Sequence, residues 1–193
     1  MPGDFFKWAY LVGLLVISAV RKTHERRAGR RSSLKDTPIL ESLLMMAWGI
    51  AAGILPPIHL FSSWLDFADY PMPVASGFLG IALFVVATWM LHRSHADLGK
   101  RWSPTIEMQD RQGLVTEGVY RQIRHPMYSA HLLWAVAQLL LVPNFIAGLL
   151  ALPLILGLIV VRVPREEKIM LDEFGDSYRA YMSNTKRVIP GII

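Results

Sequence analysis

The sequence predicts an all-α integral membrane protein with five transmembrane helices, a cytoplasmic loop and C-terminal cytoplasmic helices. Three observations support this class. The 193-residue chain is 53% hydrophobic and has a mean hydropathy of +0.35, and both values are high for a soluble protein. Five apolar stretches approach the roughly 20 residues that a helix needs to cross a bilayer. Basic residues cluster in alternate connections between these stretches, as expected when cationic loops stay in the cytoplasm.

The five apolar stretches are predicted to be the spans. They lie at residues 5–20, 38–62, 73–92, 127–142 and 145–161. The second and third are long enough, and aromatic or arginine residues at the ends of the others extend them into the membrane interface. The dipeptide Pro143-Asn144 favours a turn over a continued helix, so the last two spans are predicted to form a tight hairpin.

The first stretch has an alternative interpretation as a secretory signal peptide. A signal peptide begins with a basic region and ends at a cleavage site of small residues. Here Lys7 is the only basic residue before the apolar run, and Arg21-Lys22 follow it directly. This arrangement favours a transmembrane span.

The distribution of charge predicts the orientation of a single domain, residues 1–193. Nineteen of the 20 basic residues fall in the connection after the first span, in the loop 93–126 and in the tail 162–193, and only Lys7 lies on the other side. Cationic connections remain cytoplasmic. We therefore expect the N-terminus outside the cell, the C-terminus inside, and a functional surface made by the loop and the tail.

Composition excludes several kinds of site. The chain has no cysteine, so disulfides, thiolate metal sites and cysteine nucleophiles are excluded. His92 and His95 are three residues apart, but no third ligand accompanies them, and we expect no metal. Topology explains the basic clusters, so we expect no nucleic acid partner. His59 and His131 are polar residues in apolar spans, where a satisfied structural role is commoner than a functional one.

The first candidate site is the start of the fourth span. Proline is favoured at the first position of a helix, so the helix is predicted to begin at Pro126 with His125 as its cap. Free amide groups at a helix start attract anions, although a cap at the interface with no ligand is also possible. Arg124, Tyr120 and Tyr128 flank the same position and favour a binding site.

The second candidate site follows the fifth span. Arg162 is either a cytoplasmic anchor or a functional cation. Apolar and aromatic residues recur at helical spacing in the tail, which predicts a helix that extends the fifth span and a second short helix after Gly175. Pro164 is predicted to reset the chain, with Glu166 and Glu167 in the first turn of a new helical stretch. Carboxylates there either stabilise the helix dipole or bind a ligand, and the residues alone leave both alternatives open.

These motifs together resemble the isoprenylcysteine carboxyl methyltransferase family, within a wider group that includes membrane phospholipid methyltransferases. The resemblance covers Trp102 to the C-terminus, and the length is similar to that of a small prokaryotic member. The residues that carry it are Leu114-Val115, Gly118-Val119-Tyr120, Arg124-His125-Pro126-Met127-Tyr128, Arg162, Glu166-Glu167, Phe174-Gly175, Tyr178 and Tyr181.

The resemblance implies a cytoplasmic binding site for S-adenosylmethionine. Gln112 departs from the histidine often found at its position in the family. Arg162 matches the arginine assigned to the substrate and is the implied catalytic residue, and Glu167 is a further implied substrate contact. The implied cofactor-binding residues are Gln112, Gly113, Leu114, Val115, Tyr120, His125, Pro126, Met127, Tyr128 and Glu166.

The implied reaction is methyl transfer to the carboxylate of a prenylated cysteine or a similar lipophilic acceptor that enters from the bilayer. A carboxylate is already a nucleophile, so orientation and desolvation could supply most of the acceleration. Membrane lipid is the expected surrounding partner. The alternatives are methylation of a phospholipid amine or a small thiol, a nicotinamide-dependent membrane reductase related to sterol reductases, and a membrane binding protein without catalytic activity.

Overall fold

A computed structural model describes residues 2–28, 37–99 and 113–189. The regular elements within these ranges are helices, and only two isolated β-bridges occur among them. Short 3-10 helices at Asp66–Ala68 and Gly118–Arg121 and a π-helical turn at Phe145–Leu149 connect the longer elements. The predicted all-α class is confirmed. The α-helices are α1 (Pro2–Ala28), α2 (Ile39–Gly53), α3 (Leu55–Phe61), α4 (Val74–Leu98), α5 (Pro126–Leu141) and α6 (Ala151–Asn184).

Long apolar helices identify a membrane protein. In the described ranges, three helical stretches are long and apolar enough to cross a bilayer, and α5 is a shorter apolar helix. The three stretches are Ile39–Phe61, Val74–Leu98 and Phe145–Asn184. Large apolar side chains also face outward, including Leu15, Val85 and Val160, which are 64%, 62% and 72% exposed. An outer surface of this kind suits lipid. The count of five spans and their orientation stay predictions.

Several helix boundaries differ from those predicted. The second apolar stretch is divided between α2 and α3, which meet at Ile54 just before Pro56 and Pro57. Helix α4 continues to Leu98, so residues 93–98 are helical rather than part of the predicted loop. Hydropathy shows where apolar sequence ends, whereas polar residues with good helix propensity can continue the same helix.

Helix α6 extends the fifth apolar stretch and is interrupted at Gly175, as the helical spacing of the tail predicted, but not at Pro164. Pro164 lies inside the helix, so the prediction that it starts a new helical stretch is wrong. The helical geometry is instead interrupted at Gly175, where φ is 50°. Glycine adopts this left-handed conformation without the steric cost that other residues incur. Glu166 and Glu167 therefore lie in the middle of a long helix, where neighbouring elements surround them.

A buried polar cluster ties the helices together inside the apolar bundle. The hydroxyl of Tyr10 lies 2.7 Å from both the Ala52 carbonyl and Gln138 Oε1, and it accepts a hydrogen bond of 2.9 Å from Trp134 Nε1. Gln138 Nε2 donates to the carbonyl of Ala147 in the π-helical turn at 2.7 Å. Because lipid offers no hydrogen bonds, polar groups at this depth need partners within the protein. The cluster joins α1, α2, α5 and the π-helical turn before α6.

The turn between α5 and α6 confirms the predicted helical hairpin. Asn144 Oδ1 accepts hydrogen bonds from the amides of Ile146 and Ala147, at 2.9 and 2.8 Å. Asn144 Nδ2 donates to the carbonyl of Leu65. Asparagine side chains of this kind commonly replace a backbone partner at helix starts. The hairpin sets α6 beside α5, and it therefore brings the polar part of α6 next to the start of α5.

The chain after α6 returns to the start of α5. The amides of Arg124 and His125 donate to the carbonyls of Lys186 and Arg187, at 2.7 and 2.9 Å. The amide of Lys186 donates to the carbonyl of Gln122 at 3.2 Å. This short parallel pairing fixes the residues just before α5 against the C-terminal segment.

Candidate active site

A single cavity brings most of the predicted site residues together. Its volume is about 630 Å³, and helices α1, α2, α4, α5 and α6 all contribute to its lining. Ile155 and Glu166 both line it, although about 16 Å of helical rise separates them along α6. The cavity is therefore elongated, with apolar walls deep in the bundle and charged groups at one end. The predicted residues that line it are Gly113, Leu114, Val115, Tyr120, His125, Pro126, Met127, Tyr128, Arg162 and Glu166.

Two predicted residues are not part of this lining. Gln112 lies outside the described residues. Glu167 is buried, with only 3% of its surface exposed, and it lies behind the cavity wall among other charged side chains. The structure therefore gives no support to a direct contact between Glu167 and a substrate.

Glu166 is the charged centre of the cavity wall. Its Oε1 accepts hydrogen bonds from the hydroxyl of Tyr128 at 2.5 Å and from Arg162 Nε at 3.0 Å. Its Oε2 lies 3.3 Å from His125 Nδ1. Burial tends to raise the pKa of Glu166, but His125, Arg162 and Tyr128 outweigh burial and hold the pKa below its usual value. Glu166 therefore presents a carboxylate anion to the cavity.

His125 bridges two carboxylates. Its Nδ1 faces Glu166, and its Nε2 lies 3.4 Å from Glu167 Oε1. Burial tends to lower the pKa of His125, but the two carboxylates outweigh burial and raise the pKa above its usual value. The imidazolium form is thereby favoured, and it lies between the carboxylate of Glu166, which lines the cavity, and the carboxylate of Glu167 behind it.

The start of α5 agrees with the sequence in one respect and differs in another. The helix begins at Pro126 with His125 as its N-cap, as predicted. However, the amides of Tyr128 and Ser129 both donate to the His125 carbonyl, at 3.1 and 3.3 Å. Fewer amides are therefore available to an anion at this helix start than the sequence suggested. The electrostatic character of the site comes mainly from side chains.

Glu167 anchors the cluster behind the cavity wall. It accepts from Arg124 Nε at 3.1 Å and from Arg187 Nη2 at 2.7 Å. Arg124 also donates to the carbonyls of Met182 and Thr185. Burial tends to raise the pKa of Glu167, but the nearby imidazole of His125 and the hydrogen bonds from Arg187 and Arg124 outweigh burial and lower the pKa to about 2. These contacts connect α6, the start of α5 and the C-terminal segment.

Glu41 is a site residue that the sequence analysis missed. It lies near the start of α2 with 2% of its surface exposed, and its Oε2 accepts from Arg165 Nη1 at 2.7 Å. Its Oε1 lies 3.4 Å from Arg162 Nε. Arg162 is therefore held between the carboxylates of Glu41 and Glu166. The available signal was a lone carboxylate in an apolar span, which is a functional suspect by default.

The segment before α5 is fixed against α4. Gly118 has a φ of 62°, and a Cβ at this position would collide with the carboxylate of Asp97. Asp97 Oδ2 accepts from the amide of Val119 at 2.9 Å. The Tyr120 carbonyl accepts from the hydroxyl of Tyr181 at 2.6 Å. Asp97 and Tyr181 thus hold the 3-10 helix Gly118–Arg121 just before α5, and the sequence did not predict this role for either residue.

About half of the chain, including parts of three helices that line the cavity, resembles a known protein family. Residues 80–172 match the sequence model of the isoprenylcysteine carboxyl methyltransferase (ICMT) family. The predicted resemblance to this family is confirmed. The matched residues include most of α4, all of α5 and the part of α6 that contains Arg162 and Glu166.

Curated relatives of two kinds resemble the chain. Protein-S-isoprenylcysteine O-methyltransferase of Schizosaccharomyces pombe is 35% identical over 77 residues, which are 40% of this chain and 33% of that protein. Protein-S-isoprenylcysteine O-methyltransferase A of Arabidopsis thaliana is 26% identical over 58% of this chain and 57% of its own length. Methanethiol S-methyltransferase of Pseudomonas deceptionensis is 26% identical over 99% of this chain and 76% of that protein.

The first two relatives are matched over only part of their own length, whereas a solved structure aligns with the whole of this chain. The chain spans a third of the first relative and somewhat more than half of the second. The structure described as the eukaryotic intramembrane Ras methyltransferase ICMT aligns with a TM-score of 0.55 and 19% identity. The alignment covers 100% of this chain and 68% of that chain. The two proteins therefore share a membrane-embedded helical fold.

Proposed function

We propose that this protein is a membrane methyltransferase that uses S-adenosylmethionine to methylate the carboxylate of a prenylated cysteine or a similar lipophilic acceptor. One observation carries the proposal. Arg162 and Glu166 line the same cavity as the apolar side chains of Leu14, Ile17 and Ile155. A polar cofactor and a lipophilic acceptor require such a cavity, with charged groups at one end and apolar walls beyond them.

The charged end suits the cofactor. S-adenosylmethionine supplies a methyl group on a positively charged sulfur. Glu166 offers an anionic carboxylate to an ammonium or a ribose hydroxyl, and Tyr128 and Arg162 orient it. The wall Gly113–Val115 lies beside it and exposes backbone and apolar side chains to the same cavity. Gln112 precedes this wall in the sequence and is proposed to contribute a further contact.

Arg162 is proposed to bind and orient the acceptor carboxylate. A guanidinium can bind a carboxylate through two parallel hydrogen bonds. The contacts of Arg162 Nε with Glu166 at 3.0 Å and with Glu41 at 3.4 Å fix the direction of the side chain. A carboxylate acceptor attacks without losing a proton, so the protein needs to align it and exclude water.

The topology forms part of the same proposal. We assign five crossings to α1, to α2 with α3, to α4, to α5 and to the first part of α6, with the N-terminus outside and the C-terminus inside. The distribution of basic residues along the sequence supports this orientation, since 19 of the 20 fall in the connections assigned to the cytoplasm. Soluble cofactor would then reach the cavity from the cytoplasm, and the acceptor would enter between helices from the bilayer.

A small thiol is the second candidate acceptor. The match to the methanethiol S-methyltransferase extends over 99% of this chain, which is more than the two isoprenylcysteine methyltransferases described above cover. A thiol must lose a proton to react, and His131 lines the cavity with its Nδ1 2.6 Å from the Met127 carbonyl. Donation from Nδ1 leaves Nε2 as a proton acceptor. His131 would be unnecessary for a carboxylate acceptor.

Isotope transfer tests the proposal. The purified protein is incubated with methyl-labelled S-adenosylmethionine and, in separate reactions, with a farnesylcysteine analogue, methanethiol or phosphatidylethanolamine. We expect label in the farnesylcysteine analogue and much less in the other two. Label in methanethiol alone, lost in His131→Gln, would establish the thiol alternative. Label in none of the three acceptors would contradict the proposed reaction.

A further inference from the structure

The opposite end of the bundle contains a second cluster of titratable side chains. We propose that His59, Asp66 and Asp69 bind a divalent transition-metal ion such as Zn²⁺. His59 lies on α3, Asp66 begins the following 3-10 helix, and Asp69 follows that helix. The cluster adjoins the turn between α5 and α6, whereas the methyltransferase cavity adjoins the start of α5. The proposal is therefore independent of the proposed function.

The strongest observation is the environment of His59. Only 2% of its surface is exposed, yet neither ring nitrogen makes a hydrogen bond. Leaving a buried imidazole in this state costs free energy. Asp69 Oδ1 lies 3.1 Å from Nε2 and Asp66 Oδ1 lies 3.6 Å from Nδ1. The carboxylate oxygens thus lie near the ring nitrogens without forming hydrogen bonds to them. A cation bound to one ring nitrogen would give that nitrogen a partner and would also attract the two carboxylates.

The arrangement of ligand atoms fits a metal ion. One nitrogen of His59 and one oxygen from each aspartate lie within 4.8 Å of one another. One imidazole and two carboxylates suit Zn²⁺ better than Mg²⁺ or Ca²⁺, which prefer oxygen ligands. Asp66 and Asp69 have side chains that are 55% and 41% exposed. Water could therefore complete the coordination sphere from the outer side.

The cluster is also held in place by neighbouring groups. Asn144 Nδ2 donates to Asp69 Oδ1 at 2.8 Å, and Asp69 and Asn144 form an isolated antiparallel bridge. The amide of Asp69 donates to the carbonyl of Asp66 at 3.1 Å. Hydrogen bonds that orient metal-binding carboxylates in this way increase metal affinity. The same asparagine caps the turn before α6, so the cluster belongs to a rigid part of the fold.

The sequence predicted no metal site, because the pair His92 and His95 has no third ligand beside it. His59 was treated as a buried polar residue, since its potential partners are seven and ten positions away in a connecting segment. Such a spacing has no recognisable period. The three side chains meet only because α3 ends against the turn that Asn144 stabilises.

Metal binding is tested on the full-length protein in detergent after treatment with a chelator. Calorimetric titration with Zn²⁺ should show one site per chain, and Co²⁺ should give a visible absorption band typical of a coordinated ion. Asp66→Asn should weaken Zn²⁺ binding at least about tenfold, and His59→Asn should abolish it. Asp176→Asn is the matched control, because Asp176 is a highly exposed carboxylate on α6 and should leave binding unchanged.

A nearby cation provides a test in the opposite direction. The positive charge of Lys7 acts on His59, and it would therefore repel a cation bound to that residue. Lys7→Gln should therefore tighten Zn²⁺ binding, by a few-fold, in a fully folded protein.

Three results would overturn the proposal. The first is no Zn²⁺ binding in the wild-type protein, which would leave His59 as a partner of two carboxylates only. The second is equal binding by Asp66→Asn and Asp176→Asn. The third is binding that survives Asp66→Asn and disappears in His92→Asn, which would assign the metal to the cluster of His24, His92 and His95, whose rings lie 5.1 to 5.3 Å apart in the two contacting pairs.

Discussion

Glu41 of α2 accepts a hydrogen bond of 2.7 Å from Arg165 of α6. The same carboxylate lies 3.4 Å from Arg162, so a residue near the start of the second apolar stretch holds the proposed catalytic arginine. Charges that are buried together are retained only when their partners are well placed. The link fixes α2 against α6 beside the cavity, and it makes Glu41 a second positioning residue for Arg162 beside Glu166.

Removing Glu41 should destabilise the protein and impair acceptor binding. We expect Glu41→Ala to lower the free energy of unfolding by about 2 kcal/mol, because breaking a buried pair costs about 3–5 kcal/mol and the Arg165 side chain is 34% exposed. Glu41→Gln keeps the shape and should cost less. Thermal unfolding in detergent measures both. A stability equal to wild type in Glu41→Ala would show that the pair contributes nothing.

The charge on His125 should make stability depend on pH. The raised pKa means that protonated His125 stabilises the folded protein. This contribution is fully present below the ordinary pKa of 6.5 and is lost as pH rises through the higher folded-state pKa. We expect the melting temperature to fall as pH rises from 6.5 and His125→Gln to flatten that fall. Parallel curves for the two proteins would exclude this role of His125.

Replacing Gly118 by alanine should destabilise the fold, whereas replacing Gly113 should not. Gly118→Ala places a side chain at a φ of 62° and against Asp97, and the left-handed conformation alone costs about 1–2 kcal/mol. A Cβ at Gly113 has no neighbouring atom within 4 Å in the described part of the chain. Gly118→Ala should therefore lower the melting temperature and weaken cofactor binding, whereas Gly113→Ala should leave the melting temperature unchanged. Equal melting temperatures would contradict the assigned role of Gly118.

Arg162 should affect the acceptor more than the cofactor. Arg162→Ala removes the proposed partner of the acceptor carboxylate, so we expect kcat/KM for the acceptor to fall at least about 100-fold, corresponding to roughly 3 kcal/mol. Arg162→Lys should recover only part of the loss, because an ammonium lacks the planar fork. Steady-state kinetics with the farnesylcysteine analogue measures the effect. A loss confined to cofactor binding would assign Arg162 to the cofactor instead.

The sequence predicted local backbone features beside the cavity better than it predicted the boundaries of the longer helices. The helix start at Pro126 and the hairpin at Pro143-Asn144 were predicted correctly because proline limits the local backbone directly. The end of α4 was not, since polar residues continue that helix beyond the apolar sequence. Pro164 was misread because a single proline within a long, packed helix does not have to end it.

Residues that meet through tertiary contacts were the hardest to predict. Glu41 is more than 100 positions away from Arg162 and Arg165, and no periodic pattern connects them. Glu166 and Glu167 are adjacent and chemically equal, yet one faces the cavity and the other faces Arg124 and Arg187. Successive residues of a helix point in directions about 100° apart. The packing of α6 against α5 decides which carboxylate is available to a ligand.

The most direct test of the account is calorimetric titration of S-adenosylmethionine into the purified protein and into Glu166→Gln and Glu167→Gln. The account predicts binding by the wild-type protein, at least about tenfold weaker binding by Glu166→Gln, and a smaller loss in Glu167→Gln accompanied by a lower melting temperature. A parallel titration with a reduced nicotinamide dinucleotide should show no binding. Binding of that nucleotide in place of S-adenosylmethionine, or equal affinity of S-adenosylmethionine for wild type and Glu166→Gln, would contradict the account.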